Sequence, residues 1–326
     1  MKAAIHDTFG EPIEVLKATE IDAATPGAGE VLVKMTLSPI HNHDLWTIRG
    51  TYGYKPDLPG AIGGSEALGT IEAVGAGVDA LMIGKRVSIA GVHGTWTEYF
   101  VAPADGVLPL PDMISDTAGA QLIAMPFSAI SLLETLKAKK GDWIIQTAAN
   151  GAVGKIMVTL AKARGINLLN LVRRDEAVQE LTDMGIENVL STSGADWQKK
   201  AREIVGDAGA VSAIDSVGGD VSADLVDLLG VDGELVVFGT ATGAPMPLSS
   251  GALIMKHITV KGFWGARISK EMDPAERKRL ITELVTLVAK GDLVLEDGGV
   301  FAIDDVSDAM KAALTPGRAG KVMIRG

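Results

Sequence analysis

The segment Trp143-Ile-Ile-Gln-Thr-Ala-Ala-Asn-Gly-Ala-Val-Gly154 constrains this chain more than any other stretch. An apolar run of strand length, Trp143 to Thr147, leads at once into a glycine-containing turn. Gly151 and Gly154 keep the spacing of the last two glycines of the G-x-G-x-x-G pattern, and Ala149 stands where the first would be. The middle glycine of that pattern lets backbone approach a phosphate oxygen, and the last lets the helix close onto the strand. Ile156, Met157, Leu160 and Ala161 then recur at helical spacing, Gly165 ends the helix, and Ile166 to Val172 reads as a second strand. Strand, turn, helix and strand fit in about thirty residues, as a βαβ unit requires. The free N–H groups and partial positive charge of that helix start suit a dinucleotide pyrophosphate, so Asn150, Gly151, Ala152, Val153 and Gly154 form the candidate cradle. The alternative is an ordinary βαβ unit with a tight turn and no ligand.

The end of the second strand bears on which dinucleotide is taken. An Asp or Glu there bonds the ribose 2′-hydroxyl of NAD. This chain reads Asn170-Leu-Val-Arg173-Arg174, with no acid until Asp175. A guanidinium suits a 2′-phosphate, and one charge-assisted hydrogen bond contributes about 1.5–3 kcal/mol. Arg173 and Arg174 therefore point to NADPH, with a solvated surface as their other reading and Asp175 and Glu176 as neighbours able to blunt the preference.

The 326 residues suffice for two domains. A hydrophobic content of 47% and a charged content of 22% are ordinary for a globular chain. No apolar run reaches membrane-span length. A net charge of −11 argues against nucleic acid or an acidic membrane as partner and leaves a small-molecule substrate. The chain has no cysteine, which excludes disulfides and thiolate metal sites. With strand-like sequence beginning directly at Met1-Lys-Ala-Ala-Ile5, the expected location is the cytoplasm.

Up to about residue 122 the chain is rich in Gly and Val, with short strand-like runs at Glu30–Met35, Gly69–Val74 and Lys85–Ala90 that suit a small, bent, mostly antiparallel sheet. From Pro126 strands and helices alternate. After the first two strands come Asn188–Leu190, Val211–Asp215, Glu234–Phe238 and Ile258–Phe263, giving six strands for a doubly wound sheet. A helix then starts at an Asp273 cap with Pro274 first, carries Leu280, Ile281, Leu284, Leu287 and Val288 on one face, and stops before Gly291. The tail to Gly326 is expected to return to the first domain. The boundaries read as 1–122 with 268–326, and 123–267.

This order of parts resembles the medium-chain dehydrogenase/reductase superfamily over nearly the whole length. The likeness is closest to the zinc-free trans-2-enoyl-thioester reductases, with quinone oxidoreductases next. It rests on Ile145–Gly154, Asn170–Arg173, Ile48–Gly53, Gly63-Gly-Ser-Glu66, Gly94-Thr-Trp96, Ser216–Gly219 and Gly262-Phe-Trp264, in the family's order and spacing. The resemblance implies an α/β chain with a GroES-like β-rich catalytic domain and a doubly wound Rossmann domain that binds NADPH. It also implies a homodimer formed through edge strands, for which Ile258 to Phe263 is the candidate.

Zinc alcohol dehydrogenases of this superfamily use Cys, then His in a Gly-His-Glu triplet, then Cys or Asp. Here His41 stands near the first position, Ser65 replaces the triplet histidine, and the Met125 region offers no third ligand. Catalytic zinc needs three protein ligands, so no metal is expected, and His41-Asn-His43-Asp44 reads as a polar wall. Tyr52 matches the tyrosine that enoyl-thioester reductases place beside the substrate. Its phenol, protonated at neutral pH, suits a hydrogen bond to the thioester oxygen or a proton for the α-carbon. A packing role is the alternative, and Tyr54 is its nearest rival. Ser128 matches a hydroxyl near the nicotinamide, or else marks a helix start. Gly239 fits a turn facing the carboxamide, and Phe263 and Trp264 match an aromatic pair beside the nicotinamide and acyl pocket, Trp264 on the catalytic side. These two could equally be core.

Three activities follow. The first is NADPH-dependent reduction of an activated C=C bond in an enoyl thioester or enone. The second is quinone reduction by the same groups. The third is NADPH binding without catalysis. A coenzyme A ester calls for a basic patch, for which Lys137, Lys139, Lys140, Lys256, Arg267 and Lys270 are the candidates.

Overall fold

The computed structural model describes residues 1–315 and 317–326. The chain divides into two compact units, Met1–Met125 with Ile281–Gly326, and Pro126–Leu280. Residues 268–280, assigned from sequence to the first domain, go with the second. Arg279 reaches Glu134 at 2.8 Å, and the Arg277 guanidinium lies 5.6 Å from the centre of the Phe127 ring.

In the first unit, strand β1 (Lys2–His6) lies between β2 (Lys17–Glu20) and β4 (Ala61–Ile62), antiparallel to both. The main sheet is built on β3 (Glu30–Pro39), β5 (Glu66–Val74), β6 (Arg86–Ala90), β7 (Tyr99–Pro103) and β8 (Leu108–Pro109). Two strands from the tail, β15 (Asp297–Ala302) and β16 (Lys321–Arg325), complete it, so the first domain is discontinuous. Its pairings are antiparallel except β15 with β16. Val31, Val33, Met35 and Leu37 alternate into the core from β3. The expected strand ended at Met35. It runs on to Pro39 and bends, with register shifts against β5. Trp96 is fully buried and lies where a Cβ on Gly63 would come within 2.2 Å of its ring. That close approach fixes the path of Gly63-Gly64-Ser65 into β5.

The second unit is a six-stranded, wholly parallel sheet. Its strands are β9 (Trp143–Gln146), β10 (Asn167–Val172), β11 (Val189–Ser191), β12 (Ala210–Asp215), β13 (Leu229–Val237) and β14 (Thr259–Gly262), in the order β11-β10-β9-β12-β13-β14. The sheet turns back at β9, whose neighbours β10 and β12 lead the chain to opposite edges. A doubly wound fold opens its crevice at the carboxyl ends of the strands at such a reversal. β10 is buried on both faces apart from Asn167, as a covered parallel strand must be. The helix Ala152–Arg164 ends at Gly165, whose φ of 66° suits a residue without a Cβ. The helix Pro274–Lys290 spans the point in the sequence where one unit gives way to the other. Its Asp273 cap accepts the N–H of Ala275 at 2.9 Å, and Leu280 and Leu284 are buried. No helix among the described residues is long and apolar enough to cross a membrane.

Gly154 is where this fold tolerates no side chain. A Cβ there would lie 2.6–2.8 Å from the Ala149 backbone, which cannot withdraw as a flexible side chain would. Gly154→Ala is expected to lower stability by about 1–3 kcal/mol, measured as a reduced urea midpoint for the second unit.

Candidate active site

In the second unit the cofactor turn is shaped by short-range geometry. Ala148 adopts a φ of 52°, which swings the chain off β9, and Gly151 caps the helix in an extended conformation. Asn150 and Gly151 are exposed, Ala152 and Val153 are half-buried, and Gly154 is buried under the turn. The first helical turn carries no acidic residue, so its N–H groups face no competing carboxylate of their own. Beneath the turn, Gln146 Nε2 donates to the Gly154 carbonyl at 3.0 Å and to Asn170 Oδ1 at 2.7 Å. Asn170 Nδ2 donates onward to the Glu187 carbonyl at 2.9 Å. Sequence reading quoted Asn170 only as part of a motif, whereas its side chain helps hold the turn.

Arg173 and Arg174 emerge exposed at the end of β10, and neither has an ion pair among the described residues. Asp175, which could have blunted them, accepts a hydrogen bond from Ser193 Oγ at 2.9 Å. Hydrogen bonds from Ser191 and Ser193 hold its carboxyl below the usual carboxylate range. On the other side of β9, Asp215 Oδ1 accepts from the N–H groups of Val217 and Gly218 at 2.9 and 3.0 Å, and Oδ2 accepts from Ser222 Oγ at 2.6 Å. This fixes the Ser216–Gly219 turn. Gly239 lies against it, and a Cβ there would meet the Ser216 carbonyl oxygen at 2.8 Å. Ser128 is half-buried in the second turn of the helix Ala124–Thr135, so it is not the helix-start hydroxyl that sequence allowed. Its Oγ approaches Gly265, 3.1 Å from where a Cβ would be. Phe263 and Trp264 part company. Phe263 is buried with its ring 5.8 Å from that of Phe238, and Trp264 is 62% exposed. Lys256 leaves the candidate basic patch, because its Nζ donates to the backbone carbonyls of Val226, Asp227 and Leu229.

In the first unit a hollow is lined by His6, His43, Tyr52, Tyr54, Ser65 and His93, among others. It is built where the helix Asn42–Ile48 leaves β3 and meets the start of β5. His41 caps that helix, and its N–H donates to Asp44 Oδ2 at 2.8 Å. Asp44 Oδ1 accepts from Ser65 Oγ at 2.6 Å, and Ser65 Oγ lies 2.7 Å from His43 Nε2. The Tyr52 ring is centred 5.8 Å from the His43 ring, and its loop is pinned by the Thr51 and Tyr52 N–H groups donating to the Trp46 carbonyl. Tyr54 stacks on His93, with centroids 3.7 Å apart and planes 7° from parallel. Burial lowers the basicity of His93. Sequence marked Tyr52 and Tyr54, but gave no signal for His6 or His93, which arrive from β1 and the loop after β6.

Behind the hollow, His41 and Glu66 are both fully buried, with His41 Nε2 2.8 Å from Glu66 Oε2. Glu66 Oε1 accepts from the N–H groups of Ile123 and Ala124, each at 2.7 Å. Burial pushes the Glu66 carboxyl up to about 8, against the pull of those two N–H donors. Burial likewise draws His41 well below the ordinary imidazole value. Burial thus favours a neutral acid bonded to a neutral ring.

Two family models match the chain, one described as an alcohol dehydrogenase GroES-like domain over residues 27–112 and one as a zinc-binding dehydrogenase over residues 152–282. The mitochondrial enoyl-[acyl-carrier-protein] reductase of Bos taurus is 30% identical over 322 residues, covering 97% of this chain and 86% of the relative. A solved Bacillus thuringiensis protein, assigned provisionally as an NADPH:quinone reductase, is 28% identical with a TM-score of 0.92, covering 100% of this chain and 98% of the other. A mycobacterial protein solved in complex with NADPH is 26% identical with a TM-score of 0.86, covering 100% of both chains. The chain belongs to the medium-chain dehydrogenase/reductase superfamily, on its enoyl reductase-like side and near the quinone reductases. It is an oxidoreductase of that superfamily.

The zinc in one of those descriptions finds no fitting donor set here. His41 offers one buried nitrogen, Nδ1, with no hydrogen-bond partner, but its Nε2 is held by Glu66. Ser65 is committed to Asp44, and among the described residues no three His, Cys, Asp or Glu side chains converge as a metal site.

The raised Glu66 value carries a stability consequence. Between about pH 4.5 and 8 the folded chain retains a proton that the unfolded chain has released, so this group makes stability fall with rising pH. Below that window its contribution is fully present. Glu66→Gln keeps an acceptor for the two N–H groups and a donor for His41 but cannot titrate. Denaturant unfolding across this window should show the variant's stability falling less steeply, by up to about 1.4 kcal/mol per pH unit. Parallel slopes would show that Glu66 is ionised in the folded chain.

Proposed function

We propose that this chain transfers a hydride from NADPH to the activated C=C bond of an enoyl thioester or a free enone, with no metal in the reaction. Tyr52 carries the chemical part of this reading. It is the tyrosine that resemblance assigns to enoyl-thioester reductases, and it stands on the wall of a hollow that also holds three imidazoles, Ser65 and Tyr54. Hydride addition to the β-carbon moves charge onto the carbonyl oxygen. A phenol near it can bond that oxygen or protonate the α-carbon. The cofactor part is supported by the glycine turn and by Arg173 and Arg174, two unpaired guanidinium groups at the ribose end of β10, where an acid would mark NADH. The pyrophosphate would rest on Asn150 to Gly154. Ser128, Gly239, Phe263 and Trp264 are assigned to the nicotinamide end. Pairing of two chains through the exposed edge strand β14 would give a homodimer.

One observation favours a quinone as a second acceptor. The parallel Tyr54–His93 stack gives the hollow a flat aromatic wall, and no lysine or arginine lines it. NADPH oxidation against crotonyl-CoA, longer enoyl-CoAs, 2-cyclohexenone, 1,4-benzoquinone and simple aldehydes ranks the acceptors. Turnover is expected with an enoyl thioester or enone and not with simple aldehydes. NADPH binding without turnover on any of them would leave only a binding role.

Arg173→Ala is expected to weaken NADPH binding by about tenfold or more while NADH binding stays nearly unchanged, read by calorimetry. Equal losses would make the arginine a surface residue. Tyr52→Phe should lower kcat by roughly 10²-fold or more. Unchanged kcat would reduce Tyr52 to packing.

A further inference from the structure

The three-residue link His43–Ser65–Asp44 has a direction that assigns protons. A hydroxyl has one hydrogen to give. Ser65 gives its hydrogen to the Asp44 carboxylate at 2.6 Å. At 2.7 Å from His43 Nε2, the same oxygen can then only accept, so His43 Nε2 carries a hydrogen. Asp44 is held in turn by the His41 N–H, and it is almost fully buried, so this end of the link is rigid. The His43 atom left to exchange protons is Nδ1, which has no partner among the described residues. It is absent from the sealed, unpartnered buried atoms, and the side chain retains 24% exposure on the wall of the hollow. A carboxylate acting through a hydroxyl thus fixes the ring's tautomer and orientation, as an orienting acid does for a catalytic histidine.

We infer that His43 is a second catalytic residue of the proposed reduction, a general acid that delivers a proton from Nδ1 to the acceptor's carbonyl oxygen while Ser65 and Asp44 position it. The inference rests on the reductase reading above. The hydride leaves the nicotinamide with both electrons of its C–H bond and forms the new bond to the β-carbon. The π electrons of the C=C bond move through the conjugated system onto the carbonyl oxygen, which takes the Nδ1 proton and becomes an enol. The α-carbon then takes a proton from Tyr52 as the enol proton returns to His43, and water reprotonates the phenolate. The net change is one hydride and one proton added to the acceptor and NADPH converted to NADP⁺.

The groups facing His43 come from every side of the hollow. His41 stacks 5.0 Å from its ring, Tyr52 lies 5.8 Å away, and Asp44 is on its own helix. His6, His93 and Tyr54 stand on the other walls, with Glu66 and Lys321 behind His41. Of these, among the described residues, His43 is the one whose ring is bonded through a hydroxyl to a carboxylate, with its other nitrogen left for the hollow.

The test uses the full chain with crotonyl-CoA and 1,4-benzoquinone as probes. Wild-type kcat should fall as pH rises, as a general acid requires. His43→Phe, which keeps a ring beside Tyr52 and His41, should lose roughly 10²-fold of kcat at the acid end and show a flat profile. Ser65→Ala should lower kcat roughly five- to tenfold with KM little changed, the effect of one lost hydrogen bond. ¹⁵N-resolved NMR of the imidazoles supplies a readout that needs no turnover: hydrogen on Nε2 of His43 in the wild type, and a tautomer mixture in Ser65→Ala. Wild-type turnover matched by His43→Phe in rate and pH profile would overturn the inference alone, as would hydrogen on Nδ1 instead of Nε2 in the neutral ring. A folded wild type that turns over neither probe would overturn the reductase reading and this one with it.

Discussion

The hydrogen bonds of one buried carboxyl organise the first unit. Glu66 begins β5 with no access to water, and a carboxyl there is stable only if its lone pairs are met. Ile123 and Ala124, more than fifty residues on in sequence, meet one oxygen, and His41 meets the other. That arrangement holds His41 at the start of its helix, and the His41 N–H holds Asp44. Asp44 takes the hydrogen of Ser65, the residue just before Glu66, and Ser65 meets His43. A continuous series of short polar contacts therefore runs from the interior to the wall of the hollow. Removing a partner near its buried end would strand a polar group away from water, which costs about 1–3 kcal/mol. This gives a physical reason for such a polar sequence, His41-Asn-His43-Asp44, immediately after an apolar strand.

The second unit solves a related problem with fewer charges. Its central strands β9, β10 and β12 are covered on both faces, so side chains that shape the crevice must be satisfied within it. Gln146 and Asn170 bond one another across neighbouring strands and Gln146 also grips the Gly154 carbonyl, which ties the helix start to the sheet. Asp215 spends its carboxylate on backbone N–H groups and on Ser222, so the turn it shapes presents a fixed backbone. What remains exposed at the end of β10, with no ion pair among the described residues, is a pair of guanidinium groups.

The doubly wound sheet was legible in the sequence because it is written in local signals. All six strands were read, and the glycine turn and the Asp273 cap fell where the sequence put them. β13 began earlier than the expected Glu234, at Leu229, because Gly230, Asp232 and Gly233 break the apolar run before it. The hollow was only half legible. Tyr52 and Tyr54 stood out through the resemblance, but the partners that give them meaning lie far off in sequence. Ser65 is 21 residues from Asp44, and His93 comes from a loop whose flanking glycines say only that the chain turns. No periodicity reports a stack between Tyr54 and His93, since it depends on tertiary approach of two irregular segments. Phe263 and Trp264 show the same limit in reverse. They are adjacent in sequence and read as a pair, yet one is core and the other is at the surface.

The residues at the family's zinc positions bear on the proposed conjugate reduction. A carboxyl that holds its proton to about pH 8 is a poor partner for a cation, because binding would first have to expel that proton from an apolar site. The serine at the triplet position is likewise turned toward Asp44 and away from any ligand role. Oxidation of a simple alcohol calls for an electrophile strong enough to stabilise an alkoxide. An enone or enoyl thioester needs much less, because its carbonyl already draws the charge that the hydride delivers. Hydrogen-bond donors on the wall of a hollow, a phenol and an imidazole, can meet that smaller demand, and their worth rises as the acceptor displaces water from around them. Ser65, at the triplet position, thus gives its hydrogen to Asp44 and meets His43, so under the proposed reading one set of residues both departs from a zinc site and positions a proton donor.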